Sequence, residues 1–533
     1  MNRSKSIVKQ ASFLAIAGIL VRIIGLLYRS PLKNMITSEG IGYYSTAYNI
    51  YALILLISSY SIPTAISKLI SEKLALNQYN NVQKILKCSF IYICAVGGGA
   101  AIVAFILAPF IVTKNSVLAL RVLCPTIFLS GLLGVLRGYF QAHQTTIYTS
   151  ISQILEQIFN AIVSVGAAYL FIQPYISTGG SQMASIGAAG GALGTGAGVL
   201  IGLIYMTLMF IRHKNNDIIE NEPDRHEDSY KTIFKMILNI VTPIIVATCI
   251  YNLVSTIDMY LYYFATNCQN MNSIQVASNY GVYSGEYIVL QNVPVALASA
   301  MSTASIPAIS SSWVTKDIKM TIKNIRFGIR ITMMILIPAA IGIAVLAFPI
   351  IGIIFPQEET IQLSTTLLIF GSPAIVFYGL STLSNGILQA LGEVKMPLKN
   401  AAKALIYHVV IVILLLFLTP LGLYSLMIGN CTYALQVCFL NQKALRKKLH
   451  YKQEIRRTYI LPILASIIMG IIVAICYYGL FALTHKVFIP LIIAVIVGII
   501  VYFTIIFFFY ADHPEELNSI PYINKILYKL KKH

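Results

Sequence analysis

Charged residues are scarce in this chain. They make up 11% of its 533 residues, and only 19 are Asp or Glu against 38 Lys and Arg. Hydrophobic residues make up 57%, and the mean hydropathy is +0.77. Soluble domains carry about 25% charged residues, so this composition excludes an assembly of soluble globular domains. It is typical of a polytopic membrane protein.

Several motifs of enzymes and metal proteins are also missing. The eight cysteines lie mostly in apolar runs without the close pairing of a metal site or a disulfide framework, so we expect small packed side chains. The glycine-rich stretch from Gly179 to Gly202 lacks the Gly-Lys-Ser/Thr of a phosphate loop and indicates close helix packing. The first apolar run lacks a clear cleavage site and contains Arg22, so it predicts a retained helix. Neither a metal nor a cofactor is indicated.

Apolar runs of about 20 residues recur along the whole chain, and each is long enough to cross roughly 30 Å of hydrocarbon as a helix. Because backbone groups must be satisfied internally in lipid, we predict an all-α polytopic membrane protein with about fourteen transmembrane helices. The predicted segments lie near 8–36, 42–70, 88–112, 118–142, 148–172, 184–211, 236–265, 279–312, 325–355, 361–391, 400–419, 421–442, 458–483 and 487–510.

The basic residues lie on alternate connections between these segments. With the N-terminus in the cytoplasm, roughly 32 cations fall on or near the inner side, and about three fall on the outer side: Lys33, Lys114 and Lys486. Cytoplasmic loops of membrane proteins are enriched in Lys and Arg, so both termini are predicted to be cytoplasmic. Most of the net charge of +19 therefore orients the bundle in a cell membrane. It does not indicate nucleic-acid binding.

Three short motifs occur twice, in the same order. Gly42-Tyr43-Tyr44-Ser45 matches residues 281–284, Ser61-Ile62-Pro63 matches residues 305–307, and residues 138–142 match residues 386–390, at offsets of about 239, 244 and 248. Six predicted helices separate corresponding points, so we predict two pseudo-symmetric six-helix lobes related by an axis along the membrane normal. The predicted domains are an N-lobe at 1–214, a polar linker at 215–233, a C-lobe at 234–448, and two helices with a cytoplasmic tail at 449–533.

Charges at membrane depth are costly and therefore mark candidate functional sites. Arg22 and Arg29 lie seven residues apart in the first segment, on one face of a helix. An arginine donates two parallel charge-assisted hydrogen bonds to a phosphate and stays protonated when it is desolvated. Two arginines on one face of a helix are suited to binding a pyrophosphate. Snorkelling to the outer interface is the alternative for Arg29.

Three carboxylates also lie within predicted helices: Glu156, Asp258 and Glu286. Each either neutralises a cation in the bundle or forms a cation or proton site coupled to transport. Asp258 and Glu286 lie toward the outer half, where we expect them to face the two arginines across a central cavity. Pro63 and Pro307 occupy equivalent repeat positions and are candidate hinges, although static kinks are the commoner role of proline in a helix.

Four motifs together resemble one family. Arg22-Ile23-Ile24-Gly25, residues 40–44, residues 62–68 and residues 137–142 are similar to the polysaccharide-transporter branch of the multidrug/oligosaccharidyl-lipid/polysaccharide (MOP) flippase superfamily. The similarity is greatest to the group of stage V sporulation protein B and the MurJ-type lipid II flippases of Gram-positive bacteria. It extends over nearly the whole chain, including the predicted helix count and the two lobes.

The resemblance implies alternating access and an undecaprenyl-pyrophosphate-linked sugar as the cargo, in cell-wall or spore-cortex biosynthesis. In lipid II flippases, arginines of helices 1 and 8 contact the pyrophosphate. Arg22 matches the helix 1 position and Arg29 matches a second one with a one-residue slip, whereas Glu286 stands where that family carries a basic residue. Na⁺, H⁺ or the membrane potential are the candidate energy sources. Membrane lipids and the cell-wall synthesis machinery are the candidate partners.

The sequence also fits three other functions. A cation-coupled multidrug antiporter of the same superfamily would use carboxylates such as Asp258 and Glu286, but cavity arginines disfavour cationic cargo. A membrane glycosyltransferase or ligase would be expected to carry a large outer loop with catalytic residues, whereas the outer loops here are short and nearly uncharged. A non-transporting scaffold of the envelope is the remaining alternative. We expect a transporter that is not an enzyme.

Overall fold

The computed structural model describes residues 17–18, 20–143, 145–176, 180–217, 227–393 and 395–510. Within these ranges every regular element is helical. The helices are α1 (Arg29–Leu55), α2 (Ile62–Ala75), α3 (Tyr79–Tyr92), α4 (Gly98–Ile111), α5 (Val117–Ala142), α6 (Thr146–Ile172), α7 (Gly180–Asp217), α8 (Tyr230–Cys268), α9 (Ser273–Val282), α10 (Ile288–Val314), α11 (Ile318–Val345), α12 (Ala347–Ile354), α13 (Glu358–Gly371), α14 (Pro373–Ala390), α15 (Lys395–Leu418), α16 (Tyr424–Leu449), α17 (Leu461–Thr484) and α18 (Phe488–Tyr510).

Short π-helical turns join several neighbouring helices into longer rods. They cover Leu56–Tyr60 between α1 and α2, Ile93–Gly97 between α3 and α4, Tyr283–Tyr287 between α9 and α10, and Arg456–Ile460 before α17. Residues 20–27 are also helical and lead into α1. The predicted all-α class is confirmed, and the ends of most predicted segments lie within a few residues of the observed ones.

Ten helices in the described ranges are long and apolar enough to cross a membrane, or eleven if the bent pair α13 and α14 is one span. The rod from Arg29 to Ala75 counts as one of them, although its 47 residues extend about 70 Å. That length is more than twice the hydrocarbon thickness. Thr37 interrupts α1 with a φ of 66° and a ψ of 173°, between the predicted segments 8–36 and 42–70. The total of fourteen stays a prediction.

The chain divides into two compact units. The first comprises residues 1–293 and 401–430, and one of its buried clusters includes Ile66, Leu136 and Val241. The second comprises residues 294–400 and 431–533, and its described residues form a buried cluster around Leu383 and another around Met469. Lipid is as apolar as these side chains, so close packing rather than water exclusion holds such helices together.

Glycines of α7 allow a close approach to α6 in the first unit. A Cβ added at Gly194 would lie 2.5 Å from the backbone nitrogen of Ser164, and one added at Gly198 would lie 2.3 Å from the carbonyl oxygen of Glu156. A side chain at either position would force the helices apart. The predicted role of this glycine-rich stretch in helix packing, for its described part from Gly180 onward, is therefore confirmed.

The end of the predicted linker contacts α2 and α3. Residues 218–226 of the linker lie outside the described residues. Beyond them, Lys84 Nζ lies 2.7 Å from Glu227 Oε2, and Lys73 pairs with Asp228. The hydrogen bond and the positive charge of Lys84 lower the pKa of the Glu227 carboxyl. The boundary at 215–233 stays a prediction.

Two glycines of the first repeated motif form a reciprocal crossing of α1 and α9. A Cβ added at Gly42 would lie 2.0 Å from the carbonyl oxygen of Ala277, and one added at Gly281 would lie 2.0 Å from the carbonyl oxygen of Ser38. Gly42 thus contacts the residue four positions before Gly281, and Gly281 contacts the residue four positions before Gly42. The repeat found in the sequence is therefore also a contact between backbones.

We expect Gly281→Ala to destabilise the protein, because its Cβ overlaps a backbone oxygen that no rotamer change can move. Overpacking of this kind costs about 1–3 kcal/mol, which lowers the unfolding temperature in detergent. Gly99→Ala is the matched control, since nothing lies within 4 Å of a Cβ added there. Equal unfolding temperatures for the two variants would refute the close crossing.

Candidate functional site

The first unit contains a cavity of about 410 Å³ that both predicted arginines line. We call it the arginine cavity, and its wall includes Arg22, Arg29, Tyr44, Tyr48 and Asn292. Arg22 is exposed, and its Nη1 donates a hydrogen bond of 2.9 Å to the backbone carbonyl of Asn292. Arg29 is half-buried. The predicted placement of the two arginines on one helix face thus brings them to one cavity.

The arginine cavity is strongly positive. Among the described residues that line it, two are arginines and none is acidic. Positive charges in the wall of a cavity attract an anion more strongly than fully solvated ones do, because the local dielectric constant is lower. The rest of the wall is tyrosine, carboxamide and apolar side chains. This arrangement is suited to a phosphate or pyrophosphate group that enters from outside.

A second cavity of about 390 Å³ adjoins the first and shares Tyr48, Gln157 and Asn160 with it. We call it the glutamine cavity. Its only charged residues in the described lining are Arg137 and Glu156, whose Nη2 and Oε2 atoms lie 2.7 Å apart. Glu156, a predicted coupling or cavity carboxylate, therefore lines a cavity and neutralises an arginine.

A third, smaller cavity of about 200 Å³ has both Arg29 and Asp258 in its wall. We call it the aspartate cavity. It shares Arg29, Tyr44 and Tyr48 with the arginine cavity. Asp258 thus lines the same cavity as one of the two arginines, but the contact of its carboxylate is with a different residue.

Asp258 forms a buried pair with His408 of α15. Its Oδ1 lies 2.7 Å from His408 Nε2, and His408 Nδ1 lies 2.8 Å from the carbonyl oxygen of Gly429. Asp258 and His408 are 1% and 0% exposed. A carbonyl oxygen can only accept, so Nδ1 carries a proton, and a second proton must lie between Nε2 and the carboxylate to make that hydrogen bond. The pair is therefore arranged to hold one exchangeable proton.

Glu286 forms a second buried pair, with Lys33. Lys33 Nζ lies 2.5 Å from Glu286 Oε1, and both side chains are 1% exposed. The π-helical turn Tyr283–Tyr287 carries Glu286, and Lys33 precedes the interruption of α1 at Thr37. Glu286 lines none of the three cavities described above. Its contact is with a lysine rather than with Arg22 or Arg29.

Comparison with known proteins identifies the family of this chain. The family described as "Polysaccharide biosynthesis protein" matches residues 7–313, more than half of the chain. The chain belongs to the polysaccharide biosynthesis protein family. A second family, MatE, matches residues 290–414. Both place the chain in the MOP flippase superfamily, as the motifs predicted.

Relatives of this family member cover nearly its whole length. It is 23% identical to "Lipid II flippase MurJ" of Bacillus subtilis (strain 168), over 90% of this chain and 89% of that protein. It is 22% identical to "Stage V sporulation protein B" of the same organism, over 98% and 99%. These identities establish relatedness along the whole chain.

Solved structures share the fold of this polysaccharide biosynthesis family member. "Lipid II flippase MurJ, inward closed conformation" superposes with a TM-score of 0.70 at 16% identity, covering 94% of this chain and 99% of that one. An inward-facing multidrug resistance MATE family transporter of the MOP superfamily gives 0.57 at 13% identity, covering 82% and 94%. The likeness confirms the all-α, MurJ- and MATE-like fold of a multi-pass membrane protein.

The two predicted hinge prolines of this family member lie in different surroundings. Pro63 is half-buried near the start of α2, and a Cβ added at Gly134 of α5 would lie 3.3 Å from its ring. It also lines the glutamine cavity. Pro307 lies within α10 and is exposed. A hinge role for either proline stays a prediction.

Sequence reasoning missed the partners of the buried carboxylates and a polar stripe on α6. His408 had no assigned role, and Lys33 was assigned to an outer connection. Thr149, Gln153 and Asn160 lie at helical spacing on α6 and line the glutamine cavity. The opposite positions, including Ile158 and Ile162, are exposed and apolar. The period of polar residues in an otherwise apolar segment was a signal that could have identified the stripe.

Proposed function

We propose that this protein is a flippase that moves an undecaprenyl-pyrophosphate-linked saccharide across the bacterial cell membrane by alternating access, for cell-wall or spore-cortex biosynthesis. Lipid II or a related polysaccharide unit is the proposed cargo. The observation that carries the proposal is the placement of Arg22 and Arg29 in one cavity without an acidic neighbour in its described wall. The family and the relatives named above support it.

The arginine cavity fits the chemistry of this cargo. A pyrophosphate carries several oxygen acceptors, and each planar guanidinium can donate two parallel charge-assisted hydrogen bonds to it. The guanidinium group stays charged without a partner carboxylate, so the empty site retains its affinity for anions. The isoprenoid tail would remain in lipid, where it needs no polar contact.

Alternating access in this proposal uses the two lobes at 1–214 and 234–448, with both termini in the cytoplasm. The repeated motifs and the asymmetry of basic residues support this arrangement. Segments 215–233 and 449–533 would lie outside the lobes as the linker and the C-terminal extension. Rocking of the lobes would transfer the headgroup while the tail stays in the bilayer.

A cation-coupled multidrug antiporter is the second candidate, and the match of residues 290–414 to the MatE family favours it. A cationic drug would have to occupy the aspartate cavity, where Asp258 supplies negative charge. Arg29 lines the same cavity and would repel it. The electrostatics therefore support anionic cargo over cationic cargo.

Reconstitution in liposomes distinguishes the candidates. Fluorescently labelled lipid II, other undecaprenyl-pyrophosphate-linked sugars and a cationic dye are offered to the same proteoliposomes, and transfer between leaflets or into the lumen is followed. We expect transfer of at least one lipid-linked sugar and none of the dye. Transport of the dye alone would replace the flippase with the antiporter.

We propose further that Asp258 couples an ion gradient to transport through its shared proton with His408. Asp258→Asn removes the site for that proton and is expected to slow flipping and abolish its response to a proton gradient. Glu393→Gln is the matched control, because Glu393 is in a half-exposed pair with Lys448. The measurement is the flipping rate in proteoliposomes with and without an ionophore. An Asp258→Asn variant that flips at the normal rate and still responds to the ionophore would remove this role, leaving Glu286 and Glu156 as the other predicted carboxylates.

A further inference from the structure

The glutamine cavity has the size and position of a second ligand subsite. Its volume of about 390 Å³ lies within the usual range of ligand pockets, about 300–1,000 Å³. It adjoins the arginine cavity, because Tyr48, Gln157 and Asn160 line both. A ligand whose anionic group sits against Arg22 and Arg29 could therefore extend directly into it.

The two cavities differ in charge. Arg137 and Glu156 form an ion pair of 2.7 Å, so the described wall of the glutamine cavity carries no net formal charge. The described wall of the arginine cavity carries two positive charges. An anionic group is thus favoured in one cavity and not in the other. The portion of a ligand in the glutamine cavity should be uncharged.

The wall of the glutamine cavity is rich in groups that both donate and accept hydrogen bonds. Gln141, Gln153 and Gln157 are half-buried and line it. A carboxamide offers two donors and one acceptor oxygen, which matches the hydroxyl and acetamido groups of a sugar. Tyr48 and Tyr51, whose ring centroids lie 5.5 Å apart, add aromatic surface for the C–H faces of a sugar ring.

The buried hydroxyl of Thr149 in this wall lacks a partner among the described residues. Thr149 is 1% exposed, and its Oγ1 has no hydrogen bond to any described residue. A buried polar group without a partner is unfavourable, and a ligand hydroxyl in the cavity would satisfy this one. Thr149 lies on the same face of α6 as Gln153. A polar ligand in the cavity would therefore complete the hydrogen bonding of this face of α6.

We propose that the glutamine cavity binds the uncharged sugar next to the pyrophosphate, so that the two cavities together recognise both parts of the headgroup. This inference rests on the proposed function and names the substrate class of the same site: a lipid pyrophosphate whose first saccharide carries hydroxyl or acetamido groups and no charge. The aspartate cavity is a poorer place for the sugar, since its volume of about 200 Å³ is below the usual range for ligands.

The test compares two lipids on the purified full-length protein in nanodiscs. One is undecaprenyl pyrophosphate, and the other is undecaprenyl-pyrophosphoryl-N-acetylglucosamine. We expect wild type to bind the sugar-bearing lipid more tightly. Gln153→Ala should weaken binding of the sugar-bearing lipid roughly 2- to 10-fold, as the loss of one hydrogen bond does, and leave binding of undecaprenyl pyrophosphate unchanged.

Two further variants separate binding from folding. Valine is close in shape to threonine, and Thr149→Val removes the unpartnered hydroxyl. The variant should therefore keep or raise the unfolding temperature while weakening binding of the sugar-bearing lipid only. Gln173→Ala is the matched control, because Gln173 is exposed and lines none of the three cavities. Replacing N-acetylglucosamine with glucuronic acid should lower affinity, since the wall offers no net positive charge.

The outcomes are distinguishable. If wild type binds neither lipid, the proposed function fails. If wild type binds both lipids equally, or if Gln153→Ala and Thr149→Val weaken both to the same extent, the sugar subsite is refuted and the arginine site stands. Tighter binding of the glucuronic acid lipid would refute the uncharged substrate class.

Discussion

Arg22→Ala is expected to insert into the membrane normally and to lose flipping activity. Loss of two charge-assisted hydrogen bonds, each worth about 1.5–3 kcal/mol, would weaken headgroup binding roughly 100-fold or more. The residue is exposed to the cavity, and its Nη1 donates a hydrogen bond to the backbone carbonyl of Asn292. Its removal therefore leaves no buried charge unpaired, and the fold should tolerate it.

Flipping of the lipid-linked sugar in proteoliposomes and its accessibility at the outer leaflet in cells are the two measurements. Arg456→Ala is the matched control, because Arg456 is exposed and lines none of the three cavities. Arg22→Lys should retain part of the activity, since it keeps the charge and loses the planar fork. Normal outer-leaflet accessibility in the Arg22→Ala variant would defeat the role proposed for this arginine.

Lys33→Met is expected to cause the largest loss of stability. It leaves the Glu286 carboxylate buried without the ammonium group 2.5 Å away, and breaking a buried pair from one side costs about 3–5 kcal/mol. The double variant Lys33→Met/Glu286→Met removes both charges and should recover most of that loss, because apolar replacement of a buried pair is often neutral or stabilising. The unfolding temperature in detergent measures the loss in the single variant and the recovery in the double variant.

An ion pair at the protein surface provides the control for these variants. Lys448→Met breaks the pair with Glu393, in which both side chains are 35% exposed, and such pairs contribute only about 0–1 kcal/mol. We therefore expect a much smaller change in unfolding temperature than for Lys33→Met. Equal changes for Lys33→Met and Lys448→Met would mean that the Lys33–Glu286 pair is not the stabilising contact its burial indicates.

The helices of this protein could be predicted from sequence because lipid imposes a simple rule on them. Each span must be apolar and about 20 residues long, and segments such as 118–142 and 148–172 closely match α5 (Val117–Ala142) and α6 (Thr146–Ile172). The shared face of Arg22 and Arg29 could also be predicted, since their spacing of seven residues fixes it.

The partners of the buried carboxylates could not be predicted in the same way. Asp258 and His408 are 150 residues apart, and Lys33 and Glu286 are 253 apart. Helical periodicity gives the face on which a residue lies but not which distant helix packs against that face. Lys33 follows an apolar run, where sequence alone favours an interfacial lysine. The neutral glutamine cavity likewise depends on the Arg137–Glu156 pair between neighbouring helices.

The reciprocal crossing of Gly42 and Gly281 has a consequence for how this chain arose. Each glycine meets the residue four positions before the other one, which is the self-complementary contact of a two-fold dimer. A protein half this length could form it by pairing with a second copy of itself. Duplication and fusion of its gene would retain the crossing while allowing the copies to diverge.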